Sequence, residues 1–434
     1  MRKIKSTDKI AILSLFTSLV RVLGGPITII LVSSMLTLEK MGFYYTFFSI
    51  IAMAQLFEVG VGFVLKQYYS HDCVYESNGS LTDKSITKSS HLFRFSIQWY
   101  LTLTVIYIAV LLPFGSYYFR DYSGNVEWQF PYVLLVIATG LNIFLNVVVS
   151  YLDGMQHQIL LNKARLISSL SMSVSLWILI ASGFDLYSLG ISQGISVIVF
   201  LTVSYVKKSN YIHNISLNLQ GYSFKAQFKK VFPLLGKTGI VWFFGYFFWN
   251  GFTLLSFKLY GAEIAGKIGL SLALAKGGYD IANSFIANQR TVMANLIANN
   301  KESESLSTFY RYFIISTVVL ILGYSAYFVF RTIFPDFYIF EKVISNSEML
   351  YLFIFYCLTL GMTSMNNYVR SYKIEPFLTL SLYNSIFVPG GFYIASKLGS
   401  VSIFLAPVLV MILPLSFSIY IFIRKVRCSR AVYE

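Results

Sequence analysis

The stretch PYVLLVIATGLNIFLNVVVSYL, residues 131–152, runs from Pro131 to Leu152 without one Asp, Glu, Lys, Arg or His. A helix rises about 1.5 Å per residue, so this run reaches across the roughly 30 Å hydrocarbon core of a bilayer. Backbone amides in lipid must bond within their own segment, which makes a helix the expected form. Outward from it the same reading repeats. Before it lie Ile10–Leu36, Gly42–Leu65 and Phe95–Phe114, and after it Leu166–Ser182 and Leu186–Val206. A second set of six comprises Phe232–Phe257, Ile268–Ala287, Tyr312–Phe330, Met349–Met365, Pro376–Ala395 and Val401–Ile423. The pattern predicts an all-α membrane protein of about 12 transmembrane helices, six before and six after a polar connection.

Composition excludes a soluble globular domain, because hydrophobic residues make up 56% of the chain and charged ones only 12%. The net charge of +15 raises the question of nucleic acid, and its distribution answers it. With the N-terminus assigned to the cytoplasm, 24 of the 34 basic residues fall in cytoplasmic segments and 7 on the opposite side. The other 3, Arg21, Lys237 and Lys276, fall within spans. Such asymmetry places both termini inside by the positive-inside rule and makes the basicity a feature of topology, with some attraction for lipid headgroups. Many Tyr and Trp lie near segment ends, where amphipathic rings suit the headgroup layer. The three cysteines, Cys73, Cys357 and Cys428, are scattered without metal-ligand spacing. No cofactor is implied.

Two connections are long, Gln67–Leu92 and Lys207–Val231, and both fall on the cytoplasmic side. The second separates residues 1–206, read as an N-terminal six-helix lobe, from 232–434, read as a C-terminal lobe with a short basic tail. Within the linker, Phe224, Phe228 and Val231 share a helical face beside Lys225, Lys229 and Lys230. That spacing fits a short interfacial helix, and equally a solvated linker.

Ionisable side chains inside a bilayer are costly and usually face a bundle interior or an aqueous cavity. Arg21 lies about 16 Å along its helix, near mid-bilayer. Lys276 and Asp280 stand at i, i+4 on one face, either paired with each other or lining a cavity. Lys237 is shallower and either snorkels or serves the interior. Glu58 lies close to Lys66, and an interhelical salt bridge competes there with ion handling. Arg290 sits just beyond the eighth span, where the default role is a topological anchor. The balance inside the spans is positive, which with the aromatic content suits an anionic, sugar-bearing substrate. Gly24-Gly25-Pro26 and Pro389-Gly390-Gly391 interrupt the first and eleventh spans, and such kinks serve either as hinges or as passive features.

The segment Phe57-Glu58-Val-Gly-Val-Gly-Phe-Val-Leu-Lys66 is similar to the acidic, Gly-rich, basic end of the second helix in the O-antigen flippases. Residues Ile286-Ala-Asn-Gln289-Arg290-Thr-Val-Met-Ala-Asn-Leu296-Ile-Ala resemble the stretch after that family's eighth helix, with Thr291 where many members have proline. With its topology, the whole chain resembles this polysaccharide-exporter branch of the superfamily that includes the multidrug and toxin extruders. The resemblance implies two six-helix lobes around a central cavity in the bacterial inner membrane. It also implies flipping of an undecaprenyl-diphosphate-linked oligosaccharide to the periplasmic leaflet by alternating access. Arg21, Lys237, Lys276 and Arg290 would meet substrate, and Glu58 and Asp280 would couple to an ion or pair charges. Gly24, Gly25, Pro26, Pro389, Gly390 and Gly391 would act as hinges, and an O-antigen polymerase and chain-length regulator would be further partners. No nucleic acid and no enzymatic chemistry are expected.

Three rivals bound this reading. An O-antigen polymerase or ligase uses a large periplasmic loop, whereas both long loops here carry the basic bias. A multidrug extruder of the same fold would favour an acidic cavity for cationic substrates. A lipid II flippase usually adds helices after the twelfth. A single cysteine placed in the Gln67–Leu92 loop of a cysteine-free variant should be labelled by membrane-impermeant maleimide only after the cells are opened. Labelling in intact spheroplasts would reverse the topology and favour the polymerase.

Overall fold

The structure, a computed structural model, describes residues 24–58, 60–72, 82–217, 221–372, 374, 376–399 and 402–430. The described chain is helical with no strand, and seven of its helices are long and apolar enough to cross a membrane. In order these are α5 (Asp83–Tyr118), α6 (Gln129–Gly154), α7 (Gln158–Ala181), α8 (Tyr187–Leu217), α11 (Glu302–Ile333), α13 (Asn346–Arg370) and α15 (Leu405–Arg430). Each overlaps one expected span: α5, α6, α11 and α13 contain theirs whole, α7 ends one residue before Ser182, α8 starts one after Leu186, and α15 starts four after Val401. Their outward faces are apolar: Ile198, Ile314 and Leu322 are each more than half exposed, as side chains facing lipid are. The chain is an all-α, multi-pass membrane protein.

The remaining spans take other forms. The described part of the first is α1, Gly24–Met35, and Arg21 lies outside the described residues. Gly24, Gly25 and Pro26 occupy its first described turn. The second span, expected as one helix over Gly42–Leu65, is three: α2 (Leu38–Ile51), α3 (Ala54–Glu58) and α4 (Val61–Asp72). The seventh and eighth spans both lie in α9 (Phe224–Ala287), a helical run broken at Gly261, where φ is 80° and ψ is −179°. Only glycine takes that φ without strain, so the turn needs no longer loop. The short α10 (Arg290–Ala298) and α12 (Tyr338–Glu341) follow α9 and α11, and α14 (Leu378–Leu398) runs through Pro389, Gly390 and Gly391 as helix.

The chain packs as two compact units. Residues up to Leu36 with Phe47–Tyr246 form the first, and Thr37–Thr46 with Phe247 onward form the second. In the first, α6 packs against α4, α5 and α8, and α7 against α8. In the second, α13 and α14 pack against α15, and α11 against α10 and α13. The Glu348 carboxylate, in the first turn of α13, accepts from the backbone N–H of Ile403 at 3.0 Å and of Phe404 at 3.1 Å. It thereby satisfies donors just ahead of α15, a charge-assisted cap between two helices.

Broken helices free carbonyls, and tyrosines take them up. Where α2 ends, Tyr246 donates to the Ser49 carbonyl at 2.8 Å and Tyr107 to that of Ile51 at 3.5 Å. Tyrosines also bond carbonyls within continuous helix: Tyr132 donates to that of Leu111 in α5 at 2.6 Å, and Tyr324 to that of Ala275 in α9 at 2.7 Å. Tyr69, Tyr100, Tyr107, Tyr132, Tyr151, Tyr246 and Tyr368 are fully buried, so these rings pack against protein rather than lipid. Tyr246→Phe should lower the thermal midpoint in detergent, because an unsatisfied buried carbonyl costs about 1–3 kcal/mol. Tyr420→Phe, at an exposed site, should leave the midpoint unchanged.

Candidate functional site

In the first unit the interruption of the second span places an acid. Helix α3 ends at Glu58, Gly60 takes φ 76°, and α4 begins at Val61. Tyr100 of α5, itself fully buried, donates to Glu58 Oε1 at 3.3 Å. A Cβ on Gly62 would stand 3.0 Å from that carboxylate oxygen, 3.1 Å from the Tyr100 hydroxyl and 3.3 Å from Ser150 Oγ. The lack of a side chain at Gly62 thus lets Glu58, Tyr100 and Ser150 approach that turn closely. The expected partner of Glu58 is engaged elsewhere: Lys66 bonds Asp153, at the end of α6, at 2.7 Å. Among the described residues no Lys or Arg pairs with Glu58. Irregular backbone within a span is tolerated where it is buried in protein or lines a cavity, and here it stands beside an acid.

In the second unit Lys276 and Asp280 do pair, at 2.6 Å, on a face where both side chains stay about half exposed. Lys276 Nζ lies 5.7 Å from the centroid of the Trp249 ring, inside cation–π range. Trp249 packs on Tyr279 at 5.7 Å and Tyr279 on Tyr356 at 5.6 Å, while the Tyr279 hydroxyl meets Thr363 at 3.2 Å. An ion pair therefore lies beside packed aromatic rings, with open space next to Gly277. Arg290 opens α10, is exposed, and forms no ion pair among the described residues. Lys237 lies on α9, and Arg21 outside the described residues. Glu58 belongs to one compact unit and Lys276, Asp280 and Arg290 to the other.

A third charged cluster was not anticipated. Asp72, at the end of α4, bonds Lys88 of α5 at 3.0 Å and Lys230 of α9 at 3.1 Å. Lys230 also lies over the Tyr68 ring at 4.9 Å, and the Tyr68 hydroxyl donates to its carbonyl at 2.7 Å. The linker face of Phe224 and Phe228 packs on Phe95 and Trp99 of α5, and Val231 is fully buried. The start of α9 is thus docked on protein, with Lys225 and Lys229 left exposed. Tyr100, Trp249 and Asp72 carry these sites, yet no spacing signals them: Tyr100 is 42 residues from Glu58 and Lys230 is 158 from Asp72.

No protein-family model matches the chain, and no curated protein matches it either. Solved structures do. Over 97% of this chain and 99% of the other, it superposes with a TM-score of 0.72 at 13% identity on a multidrug resistance MATE family transporter of the MOP superfamily in an inward-facing conformation. An outward-facing transporter of the same description matches over 98% of this chain and 96% of that one, with TM-score 0.60 and 15% identity. A MATE in its straight conformation matches with TM-score 0.60 at 13% identity over 98% and 97%. The fold is that of the MATE transporters, a two-lobed helical architecture.

Partial burial raises the pKa of Asp72, but its bonds to Lys88 and Lys230 outweigh that and hold it below the usual carboxylate value. A depressed pKa contributes stability that is present above the unfolded value, about 3.9, and is lost as pH falls through the folded one. Protection of Lys225 and Lys229 from trypsin should therefore hold across neutral pH. Asp72→Asn should speed cleavage there at pH 7 several-fold, with each exposed pair worth about 0.2–1 kcal/mol.

Proposed function

We propose that this chain is an alternating-access transporter whose cargo is an undecaprenyl-diphosphate-linked O-antigen repeat unit, moved from the cytoplasmic to the periplasmic leaflet of the bacterial inner membrane. The observation that carries the transport reading is the end-to-end likeness to transporters solved both inward- and outward-facing. The cargo reading is supported by the intramembrane cations Arg21 and Lys237 and by the aromatic shelf of Trp249 and Tyr279. Cations suit a diphosphate and flat rings suit sugar faces. The headgroup crosses through protein while the polyprenyl tail stays in lipid. In this reading Glu58, bonded by the Tyr100 hydroxyl, exchanges a proton or binds a cation during the cycle.

A second reading has its own observation. Asp280 neutralises Lys276, which lessens the positive bias and favours extrusion of drugs by the same fold. The two part in one experiment. In a strain lacking its own transporter, the wild-type chain should restore surface O-antigen, and Arg21→Ala should reduce display by about tenfold or more at normal protein level, equivalent to losing one charge-assisted contact. Restored drug resistance without restored display would assign the chain to the extruders. Full display by Arg21→Ala would remove Arg21 from transport. Glu58→Gln should slow turnover while leaving protein level normal, and unchanged turnover would exclude it from coupling.

A further inference from the structure

At one end of the ninth span the second unit contains a cavity of about 320 Å³. That lies at the small end of the range of small-molecule sites. Phe328, Arg331 and Thr332 from the last turns of α11 form one wall, Phe340 and Glu341 from α12 another, and Asn346 at the start of α13 a third. Arg331 is held in place. Its Nη1 donates to the Tyr327 hydroxyl at 3.2 Å and to the Ile344 carbonyl at 3.5 Å, and its guanidinium lies over the Phe340 ring at 5.4 Å. A guanidinium has five N–H donors in a fixed fork, so anchoring one nitrogen leaves the others pre-organised for an anion.

An arginine in the last turn of a spanning helix has an ordinary role, complementing the helix dipole and marking the membrane boundary. That role needs neither a fixed plane nor an acid in the same cavity. Glu341 lines the cavity and forms no ion pair with Arg331 among the described residues. One basic and one acidic group, unpaired with each other in one small hollow, match a ligand that carries both charges. Beside the cavity, Phe330, Ile333, Phe334 and Phe337 are exposed, an apolar strip on the same end of α11 and the chain that follows. Lipid tails suit such a strip, and a free water-soluble zwitterion does not need it.

We propose that this cavity binds the headgroup of an aminophospholipid of the phosphatidylethanolamine class, with the phosphate on Arg331 and the ammonium on Glu341. Thr332 and Asn346 supply further hydrogen bonds, and the acyl chains lie along Phe330 and Phe334. The lipid acts as a clamp on the α11–α12–α13 end.

Native mass spectrometry of the full chain, delipidated and then offered phosphatidylethanolamine, phosphatidylglycerol and phosphatidylcholine of identical acyl chains, tests it. The wild-type protein should retain phosphatidylethanolamine about tenfold over the other two, the equivalent of one charge-assisted hydrogen bond. Arg331→Gln should lose retention of all three. Glu341→Gln, an isosteric change at an exposed position, should keep binding but lose the preference over phosphatidylglycerol. Equal retention of the three lipids by wild type, or unchanged selectivity in Glu341→Gln, overturns the assignment. Displacement of the lipid by free phosphoethanolamine at equal concentration would assign the cavity to a soluble ligand and overturn it too.

Discussion

A peptide group in hydrocarbon must find its hydrogen-bond partner in protein, since no water competes for it. That constraint sets the form of nearly every segment here. Where the chain is apolar and regular, it yields long helices such as α6 and α11. Where a helix breaks, a neighbour must supply the missing partner, and tyrosine does so repeatedly. Tyr246 and Tyr107 close the end of α2, and Glu348 closes the approach to α15. The breaks are therefore held open by specific side chains rather than being loosely packed.

Those breaks are also where the charge lies. Glu58 ends a five-residue helix between two interruptions, and the same irregularity leaves it beside Tyr100 and Gly62. A continuous second helix would have carried Glu58 past those groups on a regular face. In the other unit, the glycine turn at Gly261 lets the seventh and eighth spans follow each other directly, so Trp249 of one meets Lys276 of the other.

The linker shows how local pattern and tertiary context divide. Its apolar residues Phe224, Phe228 and Val231 all lie on the first turns of α9. Their face meets Phe95 and Trp99 rather than lipid headgroups, and Lys230 turns to Asp72. Amphipathic spacing records that a face is covered but not by what, since protein and membrane interface offer the same apolar contact. The observed packing also divides the chain within α9, between Tyr246 and Phe247, and joins Thr37–Thr46 to the second unit. Counting spans divides a chain by crossings, whereas packing divides it by contact.

By itself the sequence determined the class, the positions of most spans, the placing of Lys276 and Asp280 on one helical face and the presence of an acid in the second span. Each of these follows from local rules: apolar length, helical spacing, and the cost of charge in lipid. Only the tertiary structure decided that the second span is three helices, that Lys66 serves Asp153 instead of Glu58, and that buried tyrosines satisfy broken backbone. It alone brought Arg331 and Glu341 to one cavity. The pairing of Lys66 and the bonds of the buried tyrosines depend on partners far away in the chain, and no local periodicity encodes a hydrogen bond across helices.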